Sequence, residues 1–249
     1  SCLALVLVNL GLARPQTTNK WQNSEIEGID IMLAIDVSTS MLAEDLKPNR
    51  LEAAKDVAAE FINGRPNDNI GITLFAGETF TQCPLTVDHA VLLDMIHNIK
   101  CGLITDGTAV GMGIANAVTR LKDSKAKSKV IILLTDGTNN KGDISPMTAA
   151  EIAKSFGIRV YTIGVGTNGM APYPYPVGNT VQYVSMPVEI DEKTLTEIAG
   201  TTDGNYFRAT SNSKLKEVYE EIDKLEKTKL NVKEYSKRCL LYTSDAADE

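Results

Sequence analysis

The sequence predicts an α/β fold: a doubly wound, mostly parallel six-stranded sheet with one antiparallel edge strand and helices on both faces. Three observations lead there. The apolar runs ending at Ile35, Leu134 and Val165 are unbroken, as strands covered on both sides must be. Between them, apolar residues recur at helical spacing, so strands and helices alternate along the chain. The segments Ile70–Phe75 and Thr79–Cys83 are joined only by Ala76-Gly77-Glu78, a connection that permits nothing but an antiparallel pair.

Taken in order, Ile29–Ile35 is the first strand. Leu51, Ala54, Val57, Ala58 and Phe61 then share one helical face, and that helix stops near Asn63-Gly64. The antiparallel pair follows, then a helix over Val87–Ile99 and another over Ala109–Leu121. Gly111 and Gly113 allow close packing near the start of the latter. Lys129–Leu134 is a strand, Pro146–Phe156 a helix and Arg159–Val165 the next strand. A Pro-, Gly- and Tyr-rich interruption, Gly166–Pro187, holds Tyr173, Tyr175 and Tyr183; it has two readings, a partner surface or a cover for the sheet edge. A short helix (Glu192–Ala199), a last strand (Gly204–Arg208) and a closing helix (Leu215–Leu225) complete the pattern.

The 249 residues carry a net charge of −7 and are 43% hydrophobic, enough for one sizeable core. No basic face is visible, which excludes nucleic acid as a partner. The only histidines, His89 and His97, lie in one helical stretch without an evident Ser or Cys partner, so a hydrolytic triad is not expected. Cys83 and Cys101 flank that stretch. They could form a bridge, worth about 3 kcal/mol in the chain-entropy picture, or remain two free thiols. No CxxC pair suggests structural zinc.

Chemistry concentrates in three short segments. Asp36-Val37-Ser38-Thr39-Ser40 follows the first strand, gathering a carboxylate and two evenly spaced hydroxyls at the lip of the sheet. Thr108 sits in Asp106-Gly107-Thr108-Ala109, just before a helix. Asp136 ends the strand Leu133-Leu134-Thr135. In open α/β sheets, ligands collect at the carboxyl ends of the strands. Hydroxyl and carboxylate oxygens are the donors preferred by Mg²⁺, and by Mn²⁺ or Ca²⁺ in its place. Without a metal, the same residues would serve as turn and cap residues.

DxSxS, a later Thr and a strand ending in TDG together resemble the metal-ion-dependent adhesion site (MIDAS) of von Willebrand factor A (VWA) domains. The resemblance implies metal ligation by Asp36, Ser38, Ser40, Thr108 and Asp136, no catalysis, and a protein partner whose Asp or Glu completes the coordination. Leu12-Ala13-Arg14-Pro15-Gln16, the strand Val130–Leu134 with Thr135-Asp136-Gly137, and Arg159–Gly166 are similar to BatA-type bacterial aerotolerance proteins. That similarity implies an inner-membrane protein with its VWA domain facing the periplasm, working beside other VWA proteins of its operon and a MoxR-type AAA+ ATPase. Two rival functions are a phosphatase-like hydrolase using Asp36 and a metal-independent scaffold. The first needs a second acid two residues on, where Ser38 stands.

The expected domain is 29–225. Residues 1–13 read as the remnant of a transmembrane helix, because a dozen helical residues rise about 18 Å against the roughly 30 Å of a bilayer core. Residues 14–28 read as a linker and 226–238 as a charged stem. Residues 239–249 resemble an in-frame translation of a transposase adapter used in sequencing libraries, a fusion scar outside the expected fold.

Overall fold

A computed structural model describes residues 28–227, apart from Leu103, Thr138, Asn168, Gly178 and Asn179. The expected membrane remnant, most of the linker, the adapter-like tail and nearly all of the stem therefore lie outside the described residues. Among the described residues, no helix is long and apolar enough to cross a membrane.

The main sheet has six strands: β1 (Asp30–Asp36), β2 (Asn69–Phe75), β3 (Thr79–Thr86), β4 (Lys129–Thr135), β5 (Ile158–Val165) and β8 (Tyr206–Ala209). Their order is β3-β2-β1-β4-β5-β8, and every pair is parallel except β2 with β3. The expected architecture holds. Helices α1 (Arg50–Asn63), α2 (His89–His97), α3 (Val110–Leu121), α4 (Pro146–Ser155) and α5 (Glu192–Thr201) alternate with the strands, and α6 (212–227) closes the domain.

The alternation of β1 shows why the helices occupy both faces. Ile31, Leu33 and Ile35 enter one core with Leu51, Phe61, Leu92 and Tyr219 from α1, α2 and α6. Met32 and Ala34 enter a second core with Ile114, Ala149 and Leu195 from α3, α4 and α5. Successive strand residues point to opposite faces, so an unbroken apolar run feeds two cores at once. Burying each such side chain contributes about 1.5–3 kcal/mol before the entropy cost of ordering it.

Local signals set the helix starts. The Asn49 side chain accepts from Glu52 N–H at 2.8 Å, and Ser145 Oγ accepts from Thr148 N–H at 3.1 Å with Pro146 behind it. The sheet order reverses direction between β1 and β4, which places their carboxyl ends side by side, with Ile35 opposite Leu134. A doubly wound sheet forms its ligand crevice at such a point.

Two regions differ from the sequence reading. The interruption after β5 folds into a two-stranded antiparallel ribbon, β6 (Met170–Val177) with β7 (Thr180–Pro187), separate from the main sheet. An isolated ribbon tolerates the alternate prolines of β6 because its outer edge needs no ladder partner. Glu226, assigned to the charged stem, lies within α6 and is 1% exposed. It accepts hydrogen bonds from Tyr161 Oη at 2.5 Å, Ser128 Oγ at 2.8 Å and the Arg159 guanidinium, which tie α6 to the feet of β4 and β5.

Candidate metal centre

The structure brings all five predicted residues to the carboxyl end of the sheet. Asp36, fully buried, is fixed by its own loop and by the end of β4: Oδ1 accepts from Ser38 N–H at 2.9 Å and Oδ2 from the Thr135 hydroxyl at 2.6 Å. Ser38 Oγ and Ser40 Oγ share a hydrogen bond of 3.0 Å, and Ser40 Oγ donates to Asp136 Oδ1 at 2.7 Å. One chain of contacts thus runs from the β1 loop to the β4 loop. Thr108 enters from a third loop; a Cβ built on Gly137 would lie 3.3 Å from its Oγ1, so the hydroxyl stands beside the residue following Asp136. Ser40 is exposed while the other four are buried, so the cluster opens to solvent on one side.

Residues that sequence reasoning missed hold these loops together. Asp106 clasps Thr39, accepting from its N–H at 3.0 Å and its hydroxyl at 2.9 Å. The Asn140 side chain accepts from Thr108 N–H at 2.9 Å, and the Asn140 and Lys141 amides both donate to Thr108 O. Lys141 Nζ donates to Asp106 O at 2.9 Å. Three loops are cross-linked before any ligand arrives.

Arg50 is the largest omission. Its Nη1 donates to Asp136 Oδ2 at 2.7 Å, while Nε and Nη2 grip both oxygens of Asp45, each at 2.7 Å. The three side chains are no more than 4% exposed. Asp45 also accepts from Thr167 N–H at 2.8 Å, just beyond β5. Gly166, at φ +141°, makes room: a Cβ there would sit 2.8 Å from Arg50 Nη2. One signal was available in the sequence. Arg50 opens a helix, where the backbone dipole disfavours a cation, so a nearby carboxylate was to be expected.

The electrostatics suit a cation. Burial, and then the charge of Asp136, push the Asp36 carboxyl up to about 7; the hydrogen bonds that oppose the rise come from Ser38 and Thr135, neither a cation. Burial also raises Asp136, but Arg50 and the Ser40 hydroxyl pull it part of the way back. Asp45 stays below its ordinary value because hydrogen bonds from Arg50 and Thr167 outweigh the effect of burial. A buried carboxylate that resists ionisation beside an open ring of hydroxyls is the donor set an oxygen-seeking divalent ion completes. Among the described residues no cluster of three or more His, Cys, Asp or Glu exists, so any ion here would depend on hydroxyls as much as on acids.

The histidines stand apart. His89 Nε2 contacts Asp68 O at 3.0 Å, beside the start of β2, and His97 is exposed at the end of α2. Cys83 and Cys101 are free thiols. Cys101 Sγ donates to Ser38 O at 3.5 Å, and burial, with Asp36 and Asp136 nearby, pushes its thiol up to about 12.

The comparisons agree with this fold. The family model for the von Willebrand factor type A domain matches residues 30–221, and the chain belongs to that family. Within it, the relatives are of BatA/B type. BatB from Bacteroides thetaiotaomicron is 35% identical, with a TM-score of 0.71 over 80% of this chain and 100% of that one. An aerotolerance-related membrane protein from Bacteroides fragilis NCTC 9343 is 34% identical, with a TM-score of 0.68 over 79% and 100%. A UPF0353 protein of Mycolicibacterium paratuberculosis is 32% identical over 87% of this chain, of which the chain spans 65%. An uncharacterized protein of Borreliella burgdorferi is 28% identical, covering 93% of this chain and 68% of its own length. More distantly, proximal thread matrix protein 1 of the mussel byssus, solved with zinc in its MIDAS motif, is 25% identical with a TM-score of 0.63 over 80% of this chain and 46% of that one.

Proposed function

We propose that this domain is a non-catalytic protein-interaction module that binds a divalent cation, Mg²⁺ in the first instance, through Asp36, Ser38, Ser40, Thr108 and Asp136. Through that ion it grips an acidic side chain of a partner protein. The observation that carries the reading is the continuous run of oxygens from Asp36 through Ser38 and Ser40 to Asp136, open to solvent at Ser40. When bound, such an ion supplies a Lewis-acidic centre whose neutral hydroxyl ligands leave it attractive to an outside carboxylate. The chain's own residues do the rest. Arg50 cancels the charge of Asp136, so the ligand set quenches a dication even less than its two carboxylates suggest. Asp106, Asn140 and Lys141 hold the loops in place beforehand, which lowers the ordering cost of binding.

The similarity to BatB and to an aerotolerance-related membrane protein supports placing the domain in a membrane-anchored bacterial protein, facing the periplasm. Other VWA proteins and a MoxR-type AAA+ ATPase are then the candidate partners. A phosphatase-like role is disfavoured: Ser38 occupies the place of the second acid, and both histidines lie away from the site.

Calorimetric titration with Mn²⁺ tests the reading. The wild type should give a saturable heat that Ser38→Ala with Asp136→Ala abolishes. Equal heat in both proteins, or chelator-insensitive capture of partners, would leave a metal-independent scaffold. Phosphoester hydrolysis lost on Asp36→Asn would instead restore the enzyme.

A further inference from the structure

A cleft of about 250 Å³ adjoins the oxygen cluster. Thr39, Ser40 and Ala43 of the β1 loop form one wall; Tyr173, Tyr175 and Met186 of the β6–β7 ribbon form the other. Small-molecule sites usually enclose roughly 300–1,000 Å³, so this space suits one or two side chains rather than a metabolite. Arg50 also borders it, but all its polar contacts go to Asp45 and Asp136, and nearby Glu44 accepts from Tyr183 Oη at 3.0 Å. No uncommitted charge therefore faces the cleft among the described residues, and it favours an apolar occupant.

The ribbon is built to present this wall. Ala171, Tyr173 and Tyr175 alternate onto one face, with Met186 directly across from Ala171. On that face Tyr175 is 57% exposed, Met186 48% and Val184, across from Tyr173, 47%, an apolar surface without a cover among the described residues. Pro172 O accepts from Glu44 N–H at 2.9 Å, so the outer edge of β6 turns towards the β1 loop. Pro172 and Pro174 fall on that edge and bring no N–H donor, which disfavours the addition of a partner strand there. Contact must run through side chains.

We infer that the domain recognises its partner at two points: an acidic side chain at the metal and, within two residues of it, an aromatic or large aliphatic side chain in the cleft between the β1 loop and the ribbon. The inference rests on the metal-site reading above and adds the chemistry of the partner's sequence. Continuity is its main support, because Thr39 and Ser40 belong both to the oxygen-bearing loop and to the cleft wall. Metal binding alone accepts any exposed carboxylate; the cleft supplies the selection.

The test uses fluorescein-labelled peptides in a Gly-Ser frame with one Glu and one Phe, the Phe placed one or two positions to either side. Controls replace Phe with Ser or Glu with Gln. Anisotropy is measured in millimolar Mg²⁺, alongside Mn²⁺ calorimetry of the same proteins. At least one Phe peptide should bind roughly tenfold or more tighter than its Ser control. Tyr175→Ser with Met186→Ser should erase that preference while leaving the Mn²⁺ heat and the Glu requirement intact. Manganese heat with no Phe preference at any position, with a preference that survives the double variant, or with no peptide binding at all would overturn the inference alone. Absence of Mn²⁺ heat from the wild type would sink the metal reading and this inference with it. Concentration-dependent dimers that the double variant dissolves would assign the cleft to a second copy and overturn the inference as well.

Discussion

Replacing Arg50 by Met should move stability and metal affinity in opposite directions. The guanidinium is 4% exposed and serves two carboxylates that are no more than 2% exposed, Asp45 through two hydrogen bonds and Asp136 through one. Met approximates the length of the side chain but leaves both acids without a cation. Breaking a buried ion pair by removing one partner costs about 3–5 kcal/mol. For a domain of this size, each kcal/mol shifts Tm by about 2–4 °C, so metal-free Arg50→Met should melt roughly 6–20 °C lower. The same change removes the cation that repels an incoming ion and frees Asp136 Oδ2; because burial then raises the Asp136 carboxyl further, the gain is read at mildly alkaline pH. Unit charges 4 Å apart exchange about 4 kcal/mol at an effective dielectric near 20, and a third of that already tightens binding about tenfold. Differential scanning fluorimetry with and without Mn²⁺, paired with calorimetry, reads both effects. The variant should melt low in chelator, recover more on adding metal than the wild type does, and bind Mn²⁺ at least tenfold tighter. A folded variant whose metal affinity is unchanged or weaker would refute the idea that Arg50 opposes the ion.

Glu226→Gln keeps the shape of the α6 anchor but removes its charge, and should cost roughly 1.5–3 kcal/mol by chemical denaturation. It should also flatten the acid side of the stability curve. Burial alone would raise this carboxyl, but hydrogen bonds from Arg159, Tyr161 and Ser128 outweigh burial and hold it below its ordinary 4.5. A depressed carboxyl contributes stability that is present above its ordinary pKa and lost as pH falls through the folded one, so the variants should converge in acid. Parallel curves would contradict this. Gly166→Ala should destabilise the domain, because the backbone is left-handed there and the new methyl meets Arg50; an unchanged Tm would show that the Arg50 arrangement is not rigid. Asp106→Ala unclasps Thr39 and should weaken Mn²⁺ binding severalfold with little loss of Tm, since Asp106 is exposed. Cys101, its thiol pushed up to about 12, should resist iodoacetamide in the folded state and react on unfolding; rapid labelling of the native protein would show that the β1 loop opens.

The sequence by itself determined the sheet. Continuous apolar runs such as Ile31–Ile35 and Val130–Leu134, alternating with helical spacings such as Leu51, Ala54, Val57, Ala58 and Phe61, read as strands buried on both faces. It also picked out five oxygen-bearing side chains that the fold gathers at one edge, because each sits at a strand end or before a helix, where short-range pattern and topology coincide. Only the tertiary structure decided what surrounds them. Arg50 and Asp136 are 86 residues apart, Thr39 and Asp106 are 67 apart, and Glu226 reaches across 65 residues to Tyr161. No local spacing encodes such pairs; they exist because a doubly wound sheet brings distant loops together at its carboxyl edge and lets a closing helix pack across its feet. The ribbon escaped notice for a related reason. Its prolines argue against a strand by propensity, and only pairing with β7 and docking beside the β1 loop, with Pro172 bonded to Glu44, give that segment its partners.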